Sequence, residues 1–125
     1  MAQDLPPLTD SQRQLLQTGI ELFNREMFFE CHEALEEAWL QASGDQKTFL
    51  QGLIQVAVAL HHLGRNNLTG AGRLLSAGME KLSPFAPRYE AVDVRGLLEA
   101  LNPLREASRA GIILQDWQPP RILPE

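Results

Sequence analysis

With 125 residues and a formal net charge of -5, the chain is long enough for one hydrophobic core, and its Lys and Arg are too scattered to give the basic face that phosphate neutralisation requires. Nucleic acid is therefore excluded as a general partner. The single cysteine, Cys31, cannot close an internal disulfide and reads as a small core hydrophobe in a reducing compartment.

The N-terminal stretch 1–8 carries Pro6 and Pro7 and is expected to be flexible. Thr9-Asp10-Ser11-Gln12 then has the form of a capping box, with Thr9 as N-cap and Gln12 three residues on. Leu15, Leu16, Gly19, Ile20, Leu22 and Phe23 fall on one face at helical spacing, which predicts an amphipathic helix ending near Arg25 or Glu26. A second helix over about 28–41 turns Phe28, Cys31, Leu35, Ala38 and Trp39 to one side and Glu30 and Glu37 to the other. Within it His32 lies inside the apolar arc, and Glu33 and Glu36 lie at its flank. Ser43-Gly44-Asp45 supplies a stop and a new N-cap.

The third helix, about 46–65, is apolar nearly all round and is expected to be the buried central one. Gln51, Gln55, Val58 and His62 share a stripe on it, while His61 points with Leu50, Ile54 and Ala57 into a different wall. Its apolar run, 49–63, is shorter than the ~20 residues that span a bilayer and includes glutamines, histidines and a glycine, so no membrane segment is expected. Asn66-Asn67 suits a turn and N-cap for a fourth helix with Leu68, Ala71, Leu74, Leu75, Gly78, Met79 and Leu82 inward. Pro84 and Pro87 break it, and a loop runs to about Val92. Asp93 caps a shorter helix with Val94, Leu97, Leu98 and Leu101 inward, and Pro103 either begins a further turn or kinks it. The proline-rich tail, 115–125, reads as an extended strap or as disorder. Neither a strand nor an internal repeat at a solenoid period is predicted. The fold expected is all-α: one domain over 1–125, a compact antiparallel bundle of five or six helices.

The blocks Phe23-Asn24, Phe28-Phe29-Glu30-Cys31-His32-Glu33-Ala34-Leu35-Glu36-Glu37-Ala38-Trp39, Phe49-Leu50-Gln51-Gly52-Leu53-Ile54-Gln55-Val56-Ala57, His62 and Asn67-Leu68-Thr69-Gly70-Ala71 together resemble the domain of unknown function family numbered 309. The resemblance runs from about Leu22 to Leu82. It implies a compact all-α fold and no particular activity, and it maps the family's polar positions onto His32, Glu33, Glu36, Gln51, Gln55, His62 and Asn67. Where the family tends to place an arginine and a glycine before the asparagine, this chain has Arg65 and Asn66, so the turn there is expected to be shaped differently.

Two chemistries are open to these residues. His32, Glu36 and His62 could supply nitrogen and oxygen ligands to a divalent metal with Glu33 as general base, although His-Glu-x-x-Glu lacks the second histidine of a zincin helix. Alternatively, Gln51, Gln55 and His62 hydrogen-bond to Glu33, Glu36 and His32 across a helix interface and fix its register. The function expected is a binding or interaction module with an internal Glu/His/Gln cluster, needing no cofactor. The alternative is a metal-dependent hydrolase on the same residues. The expected partner is a small molecule or a protein, a homodimer being favoured by any exposed apolar area, and no basic-then-apolar leader opens the chain, so the expected compartment is the cytoplasm.

Overall fold

The computed structural model describes residues 8–124, so the flexible stretch expected over 1–8 lies outside the described residues except for Leu8, which is packed into the core at 3% exposure. Thr9 opens α1 (Asp10–Asn24) with the complete capping box: its hydroxyl accepts the Gln12 N–H at 3.1 Å, and the Gln12 side chain accepts the Thr9 N–H at 2.8 Å. There follow α2 (Phe28–Leu40), α3 (Gly44–Gly64), α4 (Leu68–Leu82), a single 3-10 turn (Ser83–Phe85) and α5 (Val94–Arg109). Asn67 caps α4 and Asp93 caps α5, each side chain accepting the N–H of the residue three positions on. Each helix packs on the next in chain order, and α3 is central, with Phe49, Leu50, Val56, Ala57, Ala59 and Leu60 fully inaccessible. Among the described residues no helix is long and apolar enough to cross a membrane.

Two expectations are corrected. Between the 3-10 turn and α5 the chain forms a small antiparallel pair, β1 (Arg88–Tyr89) and β2 (Val92–Asp93). Its two-residue loop, Glu90 and Ala91, has both residues left-handed (φ 48° and 62°), the conformation that matches strand twist in a tight hairpin. Neither residue is the glycine or asparagine that announces such a turn. Pro103, for its part, begins no further turn: it lies inside α5, on the exposed side of the helix.

A repeat that the sequence conceals is plain in the structure. The turn from α1 to α2 and the turn from α3 to α4 are the same: Arg25 and Arg65 close their helices, and Glu26 and Asn66 follow in the left-handed region (φ 63° and 59°). The N–H of Met27 then reaches back to the Leu22 carbonyl, as that of Asn67 does to His62, each at 2.9 Å. Both are Schellman turns. Asn66 takes up this geometry because asparagine tolerates a positive φ. With positions forty apart aligned, buried Leu16, Gly19, Phe23, Cys31, Leu35, Ala38 and Ala42 meet buried Val56, Ala59, Leu63, Ala71, Leu75, Gly78 and Leu82. The two helical hairpins thus share one turn and one register of buried positions, with α5 packed on the second.

The tail is a strap. The Asn24 side chain donates to the Ile122 carbonyl at 3.0 Å and accepts the Ile122 N–H at 2.8 Å, and the Ile122 side chain is sunk to 2% exposure. The Leu123 carbonyl accepts the Asp93 N–H, and Pro124 bridges to Val92.

Candidate interaction site

The inner face of α2 is spent on the core through Phe28, Cys31, Leu35 and Ala38. Its outer face carries Phe29, Glu33, Glu36 and Leu40 at spacings of four, three and four, a single exposed stripe with an apolar side chain at each end and two carboxylates between. Phe29 is 49% and Leu40 68% exposed, values that set them apart from the other large apolar side chains of this helix. Glu30 and Glu37 are also exposed, and the last turn of α2 has no basic residue. A helix with carboxylates at i,i+3 and i,i+4 and none of its own cations is destabilised by self-repulsion, by about 0.2–0.5 kcal/mol per pair.

Phe29 is held by imidazoles from two helices. The His32 ring lies 5.2 Å from it on α2, and the His61 ring 5.7 Å away on α3; His62 continues the row at 6.2 Å from His61. His32 Nδ1 lies 3.1 Å from the Phe29 carbonyl, which only accepts, so that nitrogen carries the proton and Nε2 is left as an acceptor in the neutral ring. His62 has the opposite tautomer. Asn67 commits its Oδ1 to the Gly70 N–H and turns its amide nitrogen to His62 Nδ1 at 3.3 Å, so that Nδ1 accepts.

These positions redistribute the residues expected to form one internal cluster. Glu33, Glu36 and Asn67 are exposed, and His32, Gln51, Gln55 and His62 are half-buried. Among the described residues no hydrogen bond joins Gln51, Gln55 or His62 to Glu33, Glu36 or His32, and the buried Gln55 Oε1 has no partner. The reason is geometric. α2 is covered on two sides, by α1 and α3, so its flank positions face outward, while His62 turns toward the start of α4. His32, Glu36 and His62 are not gathered: among the described residues no three His, Cys, Asp or Glu form a group that could hold a metal ion. Trp39, expected in the core, is half-buried with the Lys47 ammonium 4.2 Å above its ring. Cys31 is sealed, and burial pushes its thiol up to about 12, which removes it as a nucleophile.

Phe29, Leu40 and His61 were missed. For Phe29 and Leu40 the signal was present, since both fall outside the apolar arc of their own helix and on its charged side; for His61 it was not.

A protein of Bacillus subtilis (strain 168) described as "Uncharacterized protein YpuF" is 41% identical over 71 residues, which is 56% of this chain and 39% of that protein. The matched part thus spans well under half of the relative's length. The model of the family described as "Domain of unknown function (DUF309)" matches residues 16–74, from α1 through α3 into α4, and it is this family that the chain resembles over the stretch holding His32, Glu33, Glu36, Gln51, Gln55, His62 and Asn67.

Proposed function

We propose that the protein is an interaction module whose α2 stripe holds a basic, partly apolar segment of a partner protein. One observation carries this reading: Phe29 and Leu40 stand exposed at the two ends of a row whose middle is Glu33 and Glu36. The carboxylates repel one another in the free protein, and a partner's Lys or Arg between them would relieve that repulsion. Phe29, backed by His32 and His61, would be the anchor, since aromatic side chains dominate the energy of small interfaces. A second copy of this chain would bring the same carboxylates against themselves, so the partner is a different protein.

A short amphipathic peptide of lysine and leucine, and its counterpart of glutamate and leucine, test the reading by chemical-shift mapping. The basic peptide should perturb Phe29, His32, Glu33, Glu36 and Leu40, and its affinity should fall about tenfold in Phe29→Ala and in Glu33→Gln/Glu36→Gln. Glu80→Gln/Glu99→Gln, with as much charge removed from α4 and α5, should leave it unchanged. Equal losses in the two double variants, or equal binding of the acidic peptide, would overturn the proposal.

A further inference from the structure

The two equivalent turns contribute to one end of the bundle, and a cleft of about 290 Å³ opens between them. Its apolar lining is Phe28 and Leu60, 8% and 0% exposed, joined by His61. The strap adds Trp117 and Pro119. Each turn adds one charge, Glu26 from the first and Arg65 from the second, and both residues are exposed. Neither side chain has a hydrogen-bond or ion-pair partner among the described residues. Two unpaired, opposite charges beside an indole over an apolar floor form an arrangement that a ligand of complementary charge would complete. The rest of the lining holds no Lys, Arg, Asp or Glu, His61 being its other titratable group.

We propose that this cleft binds a small zwitterion with an apolar body, of the amino-acid class. The ligand's ammonium pairs with the Glu26 carboxylate. Its carboxylate meets the Arg65 guanidinium, whose planar fork suits two-point pairing with a carboxylate. Its side chain lies against Trp117 over Phe28 and Leu60. The volume sits just below the ~300–1,000 Å³ common for ligand pockets, which fits a molecule of amino-acid size and is too small for a nucleotide. A phosphate-bearing ligand would also meet the repulsion of Glu26. The site stands apart from the α2 stripe, sharing only His61 with the surroundings of Phe29, so each can fail without the other.

Trp117 is the natural reporter once Trp39, held near Lys47 and away from the lining residues, is replaced by phenylalanine. In the Trp39→Phe background, fluorescence is followed on titration with L-phenylalanine, L-leucine and L-methionine, then with phenethylamine and 3-phenylpropionate, which each keep one charge. At least one amino acid should give a saturable change, and each single-charge analogue should bind at least tenfold more weakly than phenylalanine or whichever amino acid binds best. Glu26→Gln should weaken the amino acid about tenfold while leaving 3-phenylpropionate unaffected or improved; Arg65→Gln should do the same with phenethylamine spared. Circular dichroism checks that both exposed substitutions leave the helices intact. No saturable change with any of the three amino acids at millimolar concentration, or equal binding by the single-charge analogues, overturns the proposal.

Discussion

Replacing Glu36 by alanine should make the protein slightly more stable. The residue is exposed, has no hydrogen-bond or ion-pair partner among the described residues, and stands three positions from Glu33 on a helix whose last turn has no cation. Removing one like-charge pair returns about 0.2–0.5 kcal/mol, and the better helix propensity of alanine adds a few tenths of a kcal/mol. Relief from the negative end of the helix dipole acts in the same direction, falling off beyond the last turn. The gain expected at low salt is therefore about 0.5–1 kcal/mol. With a urea slope of ~1–3 kcal/mol/M, the midpoint should rise by a few tenths molar, and the rise should shrink in 1 M salt as its electrostatic part is screened. Equilibrium urea unfolding followed by circular dichroism measures both. A loss of more than about 1 kcal/mol would mean that Glu36 satisfies a buried group, and the outward placement of the carboxylates would then be wrong.

Gly78→Ala should cost about 1–3 kcal/mol in the same assay, because a Cβ there would come within 2.9 Å of both the Gly52 carbonyl oxygen and Val56 Cγ2; an unchanged midpoint would show that α3 and α4 can separate without penalty. Asn24→Ala should remove both hydrogen bonds to Ile122 and raise hydrogen exchange at the Ile122 amide, whereas unaltered exchange would mean that the strap is held by its side chains alone. Cys31 should resist iodoacetamide in the native protein and react once unfolded. Since burial raises its folded pKa from 9.0 to about 12, the unfolded chain gives up this proton first. Its contribution to stability is thus complete below about pH 9 and declines as pH rises toward 12, which urea midpoints at stepped alkaline pH would detect.

Periodicity and caps made the helices legible. Thr9, Asn67 and Asp93 each announce a helix start through a side chain that can accept a backbone N–H, and the apolar circumference of 49–63 identifies the buried centre. The hairpin of β1 and β2 was not legible, because Glu90 and Ala91 enter the left-handed region without glycine and each strand is too short to alternate. The likeness of the two hairpins was hidden for a different reason. Over the aligned hairpins only Arg25 with Arg65 and Leu35 with Leu75 are identical; elsewhere the likeness is of burial, with small residues on both sides at Gly19 and Ala59, Cys31 and Ala71, and Ala38 and Gly78. At the site, a helical wheel places Glu33 and Glu36 beside the apolar arc of α2 but cannot say how many neighbours that arc has. With two neighbours the flank is open. The contact of His61 with Phe29 depends on the C-terminal end of α3 lying at the N-terminal end of α2, which is a property of the packing.

Because Asn24 grips Ile122 by its main-chain N–H and carbonyl, attachment of the strap is largely blind to which side chains its neighbours carry. Arg121 and Leu123, both exposed, can therefore drift under mutation without loosening it. At the clasp itself proline at 122 is excluded, because it would delete the N–H that Asn24 accepts. Prolines are correspondingly abundant around it, at 119, 120 and 124, where they stiffen the segment before it docks and lower the entropy lost on docking.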